Sequence, residues 1–95
     1  MYWQIAILAI ESGEDRAFME KLYLEHRVVM HKIALQVLRD PNQAEDAINE
    51  ACIALIGKLS LLKKMECCTL RAYVVSTIRN TAINHAVKRN RHSQY

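Results

Sequence analysis

Residues 40–59, DPNQAEDAINEACIALIGKL, limit the fold more than any other stretch of the chain. Apolar or small side chains fall at Ala44, Ala47, Ile48, Ala51, Cys52, Leu55, Ile56 and Leu59. This i, i+3, i+4, i+7 spacing draws one stripe along a 3.6-residue helix. The start is marked too. Asp40 offers an oxygen to the free N–H groups, Pro41 has no N–H to leave unpaired, and Gln43 stands at capping-box spacing. The same proline closes the segment before it, because it disfavours helical geometry in the preceding residue. The helices on either side of Arg39-Asp40-Pro41 must therefore double back as an antiparallel hairpin.

A long helix is expected over 14–39. Phe18, Leu22, Val29, Ile33 and Val37 lie on one face, widened by Tyr23, Met30, Ala34 and Leu38. A short apolar helix over 1–11 precedes it, and Ser12 or the turn that follows opens it. The core-facing helix spans 41–59. SLLKKMECCT shows no clean period, so 60–68 reads as a loop. Thr69 caps a last helix over 69–91, with Leu70, Tyr73, Val74, Thr77, Ile78 and Ala82 as its inner stripe. Two glycines, one proline and 52% hydrophobic residues suit such a bundle and supply too few turns for a β-sandwich. The fold expected is all-α, a single domain of three to four helices over residues 1–95.

Charge divides the chain. Residues 1–57 hold five basic against nine acidic residues, a net −4; residues 58–95 hold eight basic residues against Glu66 alone, a net +7. Two oppositely charged halves point to two partners, and the basic half points to a polyanion, nucleic acid first. On the 41–59 helix, Glu45, Asp46, Asn49 and Glu50 crowd the outer face. Acid near the positive pole of a helix is also what a solvated, dipole-matched surface would carry. The residues alone leave both readings open.

No enzyme is expected. The four histidines, at 26, 31, 85 and 92, lack the i, i+4 metal spacing. Glycine is too scarce for a phosphate-cradling loop. Cys52, Cys67 and Cys68 form neither a disulfide framework nor a zinc knuckle, and Cys52 sits in the core stripe. No cofactor and no metal are implied. No apolar run is long enough for a membrane span, and the N-terminal MYWQIAILAI lacks the basic leader of a signal peptide. A cytoplasmic protein is expected.

AEDAINEACIAL followed by LRAYVVSTIRNTAINHAVKRNR resembles region 2 of bacterial RNA polymerase sigma factors of the extracytoplasmic-function (ECF) group. FMEKLYLEHRVVMHKIALQVLRD is similar to that family's first long helix, so the resemblance covers nearly the whole chain. It implies a transcription initiation factor domain with two faces. Glu45, Asp46, Asn49 and Glu50 would dock on the coiled-coil clamp helices of the polymerase β′ subunit. Residues 61–68 would form the loop that captures a flipped base of the non-template strand at the minus-ten promoter element. Lys63, Lys64, Arg71, Tyr73, Arg79, Asn80, Asn84, Lys88, Arg89 and Arg91 would grip and read that melted strand. The chemistry fits: phosphates need cations, an unstacked base needs a pocket or a flat surface, and amides read base edges.

The match has departures. Asn49 stands where the family usually has glutamine, Asn84 where aspartate is usual, and the 61–68 segment has no aromatic residue. The family's region 4 helix-turn-helix domain has no counterpart in these residues. An anti-sigma protein is a further partner that the resemblance implies. The rival readings are a small helical DNA-binding regulator that ignores polymerase, and a helical protein–protein interaction module.

Overall fold

The computed structural model describes residues 8, 10 and 12–93, with side chains up to residue 88. Four helices and no strand occur among them: α1 (Gly13–Leu38), α2 (Pro41–Ile56), α3 (Leu59–Leu62) and α4 (Cys67–Ser93). The all-α bundle expected from sequence is what forms. The short helix expected over 1–11 falls outside the described residues, apart from Leu8 and Ile10; Ile10 packs against the core.

The caps explain where the long helices begin. Ser12 is extended and its hydroxyl accepts from the Asp15 N–H, with Glu14 and Asp15 adding acid in the first turn. Asp40 caps α2 by accepting from the Asn42 N–H at 2.9 Å. The Gln43 side chain closes no reciprocal bond to it among the described residues. Between the helices, Arg39 takes the left-handed conformation, φ 58°, and its N–H closes on Leu35 O at 2.9 Å. Glycine usually occupies such a position. Here an arginine holds it, and the Asp40-Pro41 start of the next helix follows directly.

α1 and α2 pack as the expected hairpin, and α4 lies against both. The inner stripe of α2 is buried as read: Ala44, Ala47, Ile48, Ala51, Cys52 and Leu55 are each at most 1% exposed. The face of α1 is rotated relative to the sequence reading. Met19 and His26 go inside with Leu22, Met30, Ile33, Ala34 and Leu38, whereas Phe18, Val29 and Val37 are only half-buried. Burial of His26 is tolerated because Nδ1 donates to Leu22 O at 2.8 Å. On α4, Val74, Ile78 and Ala82 reach the core, while Thr77 and Thr81 satisfy their hydroxyls on the carbonyls of Tyr73 and Thr77.

The segment after α2 departs from expectation. α2 stops at Ile56, three residues short of the predicted end at Leu59. Residues 60–68 are not one loop: α3 makes a single helical turn over Leu59–Leu62, and Leu59 and Leu62 are both buried. α4 then begins at Cys67, so Thr69 lies within the helix rather than capping it. The Leu70 N–H already bonds to Glu66 O at 2.8 Å, which closes the first turn two residues early. The connection proper is reduced to residues 63–66.

Candidate functional site

Asp46, Asn49, Glu50 and Ile53 recur at three- and four-residue spacing on α2, so their side chains share one strip beside the buried stripe. α4 crosses this strip and contributes His85. Together the five residues line an open groove of about 380 Å³ at the seam of the two helices. Three of the four residues assigned to polymerase docking therefore converge. Glu45 is exposed on the same helix and lies outside the groove lining.

The groove is rich in acceptors. Asp46 and Glu50 supply carboxylates at its rim. Asn49 is only 5% exposed, and its Oδ1 finds no hydrogen-bond partner among the described residues. A buried amide oxygen without a donor costs about 1–3 kcal/mol, and because Oδ1 is itself enclosed, only a donor that displaces its covering contacts can relieve that cost. Opposite it, His85 Nε2 and Glu50 Oε2 lie 2.6 Å apart across the seam. The arrangement suits a donor-rich, cationic side chain from a partner. Ile53 adds an apolar wall that is 45% exposed.

The basic residues occupy other surfaces. Arg71, Arg79, Asn80, Asn84 and Lys88 are all exposed on α4. Spacings of 1, 4 and 4 from Arg79 to Lys88 keep their last four members along one flank, with exposed Ile83 and Val87 among them. Tyr73 is half-buried and packs on the core, so its ring is partly committed to the bundle. The side chains of Arg89 and Arg91 lie outside the described residues. Lys64 is exposed on the connection. Lys63 is engaged: its Nζ meets Asp15 Oδ1 at 2.8 Å and ties the connection to the start of α1. That hydrogen bond, with the charge of Asp15, raises the lysine pKa above its usual 10.5.

No group of three or more metal-ligating residues occurs among the described residues. No helix among them is long and apolar enough to cross a membrane. Cys67 and Cys68 are exposed in the first turn of α4, whereas Cys52 is enclosed and burial pushes its thiol up to about 12.

A family model described as Sigma-70 region 2 matches residues 22–92. The chain belongs to the sigma-70 region 2 family. The match takes in α1 from Leu22, all of α2 and α3, and α4 as far as His92, so it contains both the acidic groove and the basic flank. Membership makes this a region 2 domain of RNA polymerase binding and promoter recognition in general. No curated protein sequence and no solved structure matches the chain.

Sequence reasoning missed His85 as part of the region 2 groove. It was read only as a histidine without metal spacing, and its partner Glu50 is 35 residues away. A local signal did exist. His85 lies seven residues after Ile78 and three after Ala82, on the edge of the buried stripe, where a polar side chain meets the neighbouring helix.

Proposed function

We propose that this region 2 domain is of the ECF type and uses its two charged faces for two partners. The α2 strip of Asp46, Asn49 and Glu50, with Glu45 beside it, docks on the β′ clamp helices of core polymerase. The connection carrying Lys63 and Lys64, with Arg71, Tyr73, Arg79, Asn80, Asn84, Lys88, Arg89 and Arg91 of α4, holds the melted non-template strand of the minus-ten element. The observation that carries the reading is the convergence of the three docking residues on one groove, where the Asn49 acceptor is buried and unpaired.

The DNA-facing half rests on exposure and charge. The α4 flank presents two cations and two amides between residues 79 and 88, the combination that tracks a phosphate chain and reads base edges. Half-burial of Tyr73 favours a role in holding α4 on the bundle over full base stacking. The domain is not an enzyme in this reading. It acts in the cytoplasm, where polymerase is, with an anti-sigma protein as its regulator.

The test is ternary. Bacterial core polymerase incubated with the protein should retain a fluorescent single-stranded minus-ten oligonucleotide of non-template sequence that core alone releases. Retention by the protein without polymerase, unchanged when polymerase is added, would instead identify a plain DNA-binding regulator.

A further inference from the structure

Glu50 and His85 form a side-chain hydrogen bond between α2 and α4, and they join the acidic strip to the basic helix. An ionised carboxylate only accepts, so Nε2 must carry the hydrogen and the imidazole must be the donor. The two partners differ in freedom: the His85 side chain is 18% exposed and that of Glu50 58% exposed. The imidazole is therefore the fixed member and the carboxylate the held one. A free glutamate on a helix surface samples several rotamers, and ordering it on binding costs affinity. Holding it beforehand removes that cost.

We propose that His85 is a positioning residue for polymerase docking: it fixes the Glu50 carboxylate over the groove that it lines with Asp46, Asn49 and Ile53. The inference rests on the docking reading given above. The charged groups lining this groove are Asp46 and Glu50, both from α2; on α4, Lys88 follows His85 by three residues, and α1 contributes nothing to the lining. Without His85, Glu50 is free to swing away and the acceptor set is broken. Because His85 stands on α4, groove geometry also depends on how that helix sits against α2. The polymerase face and the DNA face are thereby linked through one side chain.

The test measures affinity for bacterial core polymerase with the wild type, His85→Leu and His85→Gln, each with and without Glu50→Ala. Loss of positioning should weaken binding by roughly three- to tenfold in His85→Leu, the scale of a partly exposed charged hydrogen bond. His85→Gln retains an N–H donor and should recover most of the affinity, which a purely space-filling role would not produce. In the Glu50→Ala background, His85→Leu should have no further effect. Melting curves by circular dichroism establish that each variant is folded, and His85→Ala replaces the leucine variant if that one unfolds. The proposal falls if the folded His85 variants bind within about twofold of wild type while Glu50→Ala weakens binding. If Glu50→Ala and Asp46→Arg also bind like wild type, the docking reading itself is wrong and His85 loses its role with it.

Discussion

Replacing Asn49 by leucine should make the domain more stable and less able to bind polymerase. The side chain is 5% exposed and its Oδ1 has no partner among the described residues. Burying an amide oxygen unpaired costs about 1–3 kcal/mol, and leucine, of similar length, removes that cost and adds apolar contact. Some of the gain is offset by the branched end of leucine pressing on Ile53 and its neighbours, since added bulk in packed sites costs about 1–3 kcal/mol. The net expectation is a gain of about 1 kcal/mol, which in a domain of 60–100 residues raises Tm by about 4–8 °C. On the functional side, the groove loses the Asn49 amide, and affinity for core polymerase should fall about tenfold, the equivalent of about 1.4 kcal/mol. Thermal unfolding followed by circular dichroism and a core polymerase titration on the same preparations read the two effects. A rise in Tm with a loss of affinity is the signature of a strained binding residue. A fall in Tm, both in Asn49→Leu and in the more adaptable Asn49→Met, would show that the amide holds the fold together, and the case for a docking role of this residue would collapse.

Two further outcomes follow from particular contacts. Asp15→Ala should free Lys63 from its 2.8 Å partner, strengthen binding to single-stranded minus-ten DNA and steepen the plot of log affinity against log salt by about 0.7; fluorescence anisotropy across a salt series reads the slope, and an unchanged slope would mean that Lys63 faces no phosphate. Burial holds the Cys52 thiol protonated up to about 12, against 9.0 when solvated, so its contribution to stability is complete below pH 9.0 and is lost as pH rises towards the folded value. Between those limits the unfolded chain binds fewer protons, and wild-type stability should fall by up to about 1.4 kcal/mol per pH unit. Urea denaturation at about pH 8 and about pH 10.5, compared with Cys52→Ala, isolates this dependence, which the variant should lack. Equal slopes in the two proteins would place its origin elsewhere.

Much of the fold could be read from local signals because local physics decides it. Asp40-Pro41 ends one helix and starts another wherever it occurs, and the α2 stripe from Ala44 to Leu55 is long enough for its period to be unambiguous. The 60–68 segment was misread for the opposite reason. One helical turn offers too few residues to show a period, and Leu59 and Leu62 turn inward because a core is there to receive them. The early start of α4 at Cys67 has the same origin, since neither cysteine is a favoured cap and the first turn is closed by the Glu66 carbonyl. On α1, Phe18 and Met19 are adjacent, and the helices that pack on α1, rather than its own pattern, decide which of them is inside. The site was legible as far as composition along one helix could carry it: Asp46, Asn49 and Glu50 share a face by spacing alone. Burial of Asn49, the engagement of Lys63 by Asp15 and the His85–Glu50 bond each depend on side chains that meet only after folding, two of them across 48 and 35 residues of sequence.

Affinity of the folded domain for the isolated β′ clamp coiled coil of bacterial core polymerase, wild type against Asp46→Arg/Glu50→Arg, tests most directly whether the acidic groove is the polymerase-docking surface. Saturable binding by the wild type, abolished by the double charge reversal with Tm intact, is the expected result. Binding that survives the reversal, or a folded wild-type protein that does not bind the clamp at all, would contradict it.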